Sequence, residues 1–152
     1  MSSTKVSRQL KAPRATVYNA LIDPGAVARW KFPNGMTAQI HAFDGREGGT
    51  FRISLTYEAP DRVGKSSAHT DTYHGHFAKL VPNELVVEVD EFETDDPSLR
   101  GEMTITITLA DVEGGTELVA VHDGLPAELA ADNETGWRES LTRLAALVET
   151  EP

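Results

Sequence analysis

The stretch Glu102–Pro126, EMTITITLADVEGGTELVAVHDGLP, decides the fold of this chain. Its first half alternates threonines with apolar residues, which is the pattern of a β-strand with one buried face. The pair Gly114-Gly115 is typical of a tight turn between two paired strands. The second half alternates again and reaches His122 just before an Asp-Gly-Leu-Pro turn. The sequence therefore predicts a long antiparallel hairpin that ends at a histidine.

One amphipathic helix is predicted after the hairpin, because apolar residues recur there at helical spacing. Its apolar stripe consists of Trp137, Leu141, Leu144 and Val148. Upstream of the hairpin, alternating patterns predict five more strands, and two short helices are predicted to open at Pro13 and Pro24. The five predicted strands are Thr4–Pro13, Thr37–Phe43, Thr50–Tyr57, Thr72–Pro82 and Glu84–Phe92.

The order of these elements indicates the fold class. A strand, two short helices, six strands and one long helix follow each other along the chain, which is typical of an α+β protein. Short connections between consecutive strands favour an antiparallel sheet, and the last helix is expected to cover its apolar face. The segments Glu58–Thr70 and Glu93–Gly101 are predicted polar loops. No repeat or linker divides residues 1–152, so we expect a single domain.

Composition excludes several classes of site. Hydrophobic residues make up 39% of the chain and charged residues 25%, as in ordinary globular domains. The sequence has no cysteine, which excludes disulfides, thiolate metal sites and cysteine nucleophiles. We also find no signal peptide and no apolar run long enough for a membrane span, so we expect a cytoplasmic location.

The formal net charge of −10 is unevenly distributed. Residues 1–75 contain ten Lys or Arg and six Asp or Glu, whereas residues 76–152 contain four and eighteen. An acidic chain repels phosphate backbones, so we expect no nucleic-acid partner. The acidic half either maintains solubility or forms a docking surface for a basic protein partner.

Four segments together resemble a known superfamily. They are APRATVYNALIDPGAVARW, YHGHFAKLVPNELVV, GGTELVAVHDGLP and GWRESLTRLAALVE. The chain resembles the START-like superfamily, also called Bet v 1-like or SRPBCC, and within it the branch of the C-terminal domain of the Hsp90 ATPase activator. The most specific positions are Gly115-Thr116, His122, Gly124-Leu125-Pro126 and Gly136-Trp137.

The resemblance implies a helix-grip fold, in which a curved antiparallel sheet wraps around a long C-terminal helix and two short helices follow the first strand. Relatives often hold an apolar molecule in a cavity between sheet and helix. The superfamily includes proteins that bind lipids, hormones or polyketides, cyclases, and chaperone assistants, so the fold alone does not assign an activity.

We predict a ligand-binding site lined by aromatic and apolar side chains, with a few polar groups that orient the ligand. The resemblance places the mouth of the cavity near Trp30–Met36. The candidate polar groups are His41, Tyr57, Tyr73 and His122. The candidate apolar groups are Trp30, Phe32, Met36, Phe51, Phe92, Met103, Trp137 and Leu141.

His122 has three possible roles. Its ring is expected to pack near Trp137 and to form a hydrogen bond with the backbone of the turn that follows. It could also contact a ligand, or act in acid–base catalysis, which would need a partner and a substrate within hydrogen-bond reach.

Two further groups of polar residues have alternative interpretations. His74 and His76 share one face of a strand and could bind a metal with a third ligand, but this spacing alone is a weak signal, and we assign no metal. Glu88 and Asp90 are expected on an outward polar face. If they point inward instead, burial would raise their pKa values and favour acid–base chemistry.

The resulting hypothesis is that the protein binds a small hydrophobic or amphipathic molecule, such as a lipid, steroid or polyketide, without a cofactor. One alternative is a chaperone-cofactor role through protein contacts, as in the Hsp90 activator branch. The other is a polyketide cyclase-like enzyme, or a resistance protein that sequesters a natural product. No catalytic residue is assigned.

Overall fold

The computed structural model describes residues 2–58 and 70–149. These residues form seven strands and three α-helices, in the order predicted from the sequence. The elements are β1 (Ser2–Leu10), α1 (Arg14–Ile22), α2 (Pro24–Trp30), β2 (Met36–Phe43), β3 (Thr50–Tyr57), β4 (Thr70–Val81), β5 (Leu85–Phe92), β6 (Glu102–Val112), β7 (Gly115–Leu125) and α3 (Ala130–Val148). No helix in the described ranges is both long and apolar enough to cross a membrane.

All seven strands form one antiparallel sheet with the order β1-β7-β6-β5-β4-β3-β2. The β6–β7 hairpin lies near one edge, and Gly114 forms its turn with a φ of 85°, a conformation that favours glycine. The first strand closes this edge, where Val6 pairs with Ala120. The α+β class and the curved sheet around a long C-terminal helix are confirmed.

Proline and aspartate residues determine where the two short helices begin. Pro13 precedes α1, and Pro24 occupies the first turn of α2, where its missing N–H carries no penalty. The Asp23 carboxylate caps α2 by accepting a hydrogen bond from the Ala26 N–H at 2.9 Å. Both helices therefore begin where the sequence predicted them.

Most predicted strand bounds differ from the structure by a few residues. The first strand begins at Ser2 and ends at Leu10, because Pro13 and its neighbours lead into α1. The fourth strand begins at Thr70, which was expected to close a polar loop. Residues 59–69 of that predicted loop lie outside the described residues.

The core lies between the sheet and α3, whose apolar stripe is buried as expected. Trp30, at the end of α2, is 1% exposed, and its Nε1 donates to the Ala20 carbonyl at 2.9 Å. The residue four positions after Ala20 is Pro24, which has no N–H to donate to this carbonyl. The indole of Trp30 therefore satisfies a carbonyl at the end of α1.

Replacing Trp30 with phenylalanine should lower the free energy of unfolding by about 2 kcal/mol, because the buried Ala20 carbonyl would lose its donor. Urea unfolding at pH 7 measures this change, and Trp137 remains as the fluorescent reporter. An unchanged midpoint and slope would show that the hydrogen bond contributes nothing net.

Candidate ligand-binding cavity

A cavity of about 480 Å³ opens between the inner face of the sheet, the α2–β2 connection and α3. Eight of the twelve predicted site residues line it. The sheet contributes Met36, Tyr57, Tyr73, Phe92, Met103 and His122. The other two are Phe32 and Trp137. Of the segment Trp30–Met36, which the resemblance places at the mouth, residues 32, 33, 34 and 36 line the cavity. Trp30 lies in the core instead.

Four predicted residues lie outside the cavity. Trp30 and Leu141 are both 1% exposed and pack within the core. Phe51 belongs to an aromatic cluster with Phe77, with ring centroids 5.1 Å apart. His41 is exposed on the edge strand β2, and its Nε2 lies 2.7 Å from the Ser54 hydroxyl. The apolar or aromatic character of Trp30, Phe51 and Leu141 correctly indicated burial, but it did not distinguish the core from the cavity wall.

His122 lies at the end of the cavity beside α3, in contact with Trp137 as expected. Its Nδ1 accepts hydrogen bonds from the Trp137 Nε1–H and the Asn133 side-chain amide, both at 3.1 Å. The Asn133 amide is oriented by Thr4, whose hydroxyl donates to the Asn133 oxygen at 2.6 Å. The sequence had suggested a hydrogen bond from His122 to the backbone of the following turn, but the ring bonds to these side chains instead. The hydrogen bonds among them connect β1, β7 and α3.

The hydrogen bonds also fix the protonation of His122. An imidazole whose Nδ1 accepts must carry its proton on Nε2, which lies 3.4 Å from the Met103 sulfur. Burial, together with the positive charge of Lys31, lowers the pKa of His122 to about 4, although Glu88 and Asp123 oppose this shift. His122 is therefore neutral at pH 7 and presents an N–H donor towards a weak sulfur acceptor.

A buried ion pair joins Lys31 of the cavity wall to Glu88. Lys31, directly after α2, places its Nζ 2.6 and 2.8 Å from the two carboxylate oxygens of Glu88 on β5. Their side chains are 13% and 3% exposed. Burial opposes the ionisation of both groups, but mutual attraction prevails: it raises the pKa of Lys31 and lowers that of Glu88. The pair therefore stays charged at neutral pH.

Asp90 lies two residues further along β5 and lines the cavity. Burial and the nearby Glu88 charge raise the pKa of Asp90 well above its ordinary value, more than Lys31 lowers it. The expectation that Glu88 and Asp90 form an outward face is wrong, since they are 2% and 4% exposed. The alternative, an inward face, is correct for both, but only Asp90 has a raised pKa, because Lys31 compensates Glu88.

The predicted site residues omit several polar residues of the cavity, including Lys31, Asp71, Asp90 and Asn133. Asp90 was considered only in the alternative of an inward face, and its place on the same strand face as Val86 and Phe92 favours that alternative. Lys31 had no such signal, because its partner Glu88 is 57 positions away in the sequence.

Within the described residues, the histidine pair has no third side chain with which it could hold a metal ion. His74 and His76 are exposed on the outer face of β4, and the Nδ1 of His74 lies 3.1 Å from a Glu93 oxygen. Across residues 2–58 and 70–149, no three His, Asp or Glu side chains are grouped so that they could hold a metal ion.

The sheet, the C-terminal helix and the cavity between them define a START-like domain with the helix-grip fold. A family model described as activator of Hsp90 ATPase homolog 1-like protein matches residues 11–149. The chain belongs to this family.

Solved structures agree with this assignment. A protein from Chromobacterium violaceum is 35% identical, with 97% of this chain and 96% of that chain covered and a TM-score of 0.84. The AHSA1 protein from Silicibacter pomeroyi is 18% identical, covers 99% and 100% of the two chains, and has a TM-score of 0.80. The second similarity shows the fold alone. No curated protein is similar enough to this chain to count as a match.

Proposed function

We propose that the protein binds a small hydrophobic or amphipathic molecule, such as a lipid, steroid or polyketide, in the cavity between the sheet and α3. The observation that carries this proposal is the cavity of about 480 Å³, whose wall combines aromatic and apolar side chains with buried polar groups. Such a combination is typical of small-molecule sites, where apolar walls supply affinity and polar groups fix orientation.

The two parts of the wall have separate roles in this proposal. Side chains such as Phe92, Met103 and Trp137 would remove apolar ligand surface from water, at roughly 25 cal/mol per Å². The buried polar groups Asp90 and His122 would contact the polar end of the ligand, because both are largely excluded from water.

An amide NMR titration with 1-naphthalenemethanol tests the proposal. We expect shifts at cavity residues such as Tyr73, Met103 and Trp137, and none around the core residue Leu109. Replacing Leu55, which lines the cavity, with tryptophan should weaken binding by more than about tenfold, because the indole would fill space that the probe needs.

The matched control is Thr37→Trp, which places the same indole on the exposed side of the neighbouring edge strand. Binding should survive in the control. Equal weakening in both variants, or shifts spread over the whole surface, would contradict a site in this cavity.

A second candidate is a chaperone-cofactor role through protein contacts. Two observations favour it: the family description names an Hsp90 ATPase activator, and the acidic residues are concentrated in the second half of the chain. Pull-down with purified Hsp90 at two salt concentrations tests this role. Binding through an acidic surface should weaken steeply with added salt, and an ATPase rate unchanged by the protein would contradict activation.

A further inference from the structure

Asp90 on β5 lines the cavity and carries one buried oxygen without a partner among the described residues. Within residues 2–58 and 70–149, its Oδ1 has no hydrogen-bond partner. The residue is 4% exposed and lines the cavity. Buried acceptors are almost always paired in folded proteins, because an unpaired one loses its hydration without replacement. A ligand of the cavity that donates a hydrogen bond to Oδ1 would therefore supply the partner that this oxygen lacks.

The neighbouring strand contributes no side chain beside this oxygen. Gly75 on β4 pairs with Asp90, and a Cβ built on Gly75 would lie 3.0 Å from Asp90 Oδ1 and 2.1 Å from the Val89 carbonyl oxygen. No larger residue fits at this position without displacing the backbone of β5. Glycine at position 75 thus keeps a β4 side chain away from Oδ1, although the Phe51 Cζ would lie 2.9 Å from the same Cβ.

The surroundings of Asp90 disfavour its charged form. Burial and the neighbouring Glu88 carboxylate raise the pKa of Asp90 well above its ordinary value, and a hydrogen bond with Glu88 acts in the same direction. A protonated carboxyl group still has an oxygen that accepts a hydrogen bond, and it carries no net charge.

We propose that the ligand of the cavity is a neutral molecule whose hydroxyl or amide N–H group donates a hydrogen bond to Asp90 Oδ1. This inference rests on the proposed function, because it names the polar group of the molecule bound there. An anionic ligand is disfavoured, since both oxygens of Glu88 already hold the Lys31 ammonium group. A cationic ligand would require Asp90 to ionise beside the Glu88 carboxylate.

Two probes with the same ring test this inference. The probe 1-naphthalenemethanol can donate a hydrogen bond, whereas its methyl ether, 1-(methoxymethyl)naphthalene, can only accept one. The alcohol should bind at least about tenfold more tightly by titration calorimetry, because only it satisfies the buried acceptor. Adding 1-naphthoate as a third probe tests the disfavoured anion.

Two substitutions at one position distinguish the acceptor from the cavity itself. Asp90→Asn preserves a carbonyl oxygen in the shape of a protonated aspartate, so the preference for the alcohol should persist. Asp90→Leu removes the acceptor, so this preference should disappear while the ether still binds. Glu91→Gln is the matched control, because Glu91 is the next residue on the same strand and its side chain is 41% exposed.

The outcomes separate the two proposals. If neither naphthalene probe binds the parent protein, the proposed function fails and the inference fails with it. If alcohol and ether bind equally well, if Asp90→Leu keeps the preference, or if 1-naphthoate binds more tightly than the alcohol, the inference is overturned while binding in the cavity stands.

Discussion

Replacing Lys31 with methionine should lower the free energy of unfolding by about 3–5 kcal/mol at pH 7. The substitution keeps an apolar side chain of similar length but removes the ammonium group that both Glu88 oxygens contact. Glu88 would then be a buried charge without its counterion, 3% exposed in its side chain. Breaking one side of such a pair is far more costly than replacing both partners, because the remaining ion stays desolvated.

Urea unfolding of four proteins measures this effect. Lys31→Met should show the full loss, and Lys31→Met with Glu88→Gln should recover most of it, because no charge is then left unpaired. The control Lys79→Met removes an exposed lysine from β4 and should change stability by less than about 0.5 kcal/mol.

The pH dependence provides an independent check on the same pair. Lys31 lowers the pKa of Glu88 in the folded protein, so the stability from this carboxylate is present above its ordinary pKa of 4.5 and is lost as the pH falls through the folded value. Without Lys31, protonation at low pH neutralises the buried Glu88 carboxylate. The penalty of Lys31→Met should therefore be smaller at pH 4 than at pH 7, and a loss below about 1 kcal/mol at pH 7 would contradict the buried pair.

The hairpin and the last helix could be predicted from local patterns. Alternation in β6 and β7 and the stripe of α3 arise from one-sided burial, and the side chains themselves carry this information. The contact between His122 and Trp137 followed from the same reasoning, because both lie on faces directed at the sheet–helix interface.

The ion pair and the raised pKa of Asp90 could not be predicted in the same way. Carboxylates that alternate along a strand normally face water, because burying an unpaired charge is costly. Here the cost is offset by Lys31, which follows α2 and belongs to a different part of the chain. Only the packing of α2 against the sheet brings Lys31 and Glu88 together, so no local sequence pattern predicts the ion pair. The same limit applies in part to Asp90, whose raised pKa depends on burial and on the charge of Glu88.

His122 should lower the stability of the protein by up to about 3 kcal/mol as the pH falls from 6.5 to 4. Burial and Lys31 hold the pKa of His122 at about 4, below its ordinary value of 6.5. The folded protein therefore binds fewer protons at His122 than the unfolded chain does within this window. Unfolding takes up a proton there, and acid favours the unfolded state.

Comparing the pH dependence of the free energy of unfolding in the parent and in a His122 variant separates the effect of His122 from that of other titrating groups. Asp90 acts in the opposite direction, because its raised pKa favours the folded state as the pH falls, but it is present in the parent and in the variant. His122→Gln should make the free energy of unfolding less dependent on pH between 6.5 and 4, whatever it does to stability at pH 7. His76→Gln, which removes an exposed imidazole from β4, is the control and should leave the slope as it is in the parent. If the free energy of unfolding depends on pH equally in the parent and in His122→Gln, the buried ring takes up a proton as readily as it does in the unfolded chain. Trp137 and Asn133 could then not both donate to Nδ1.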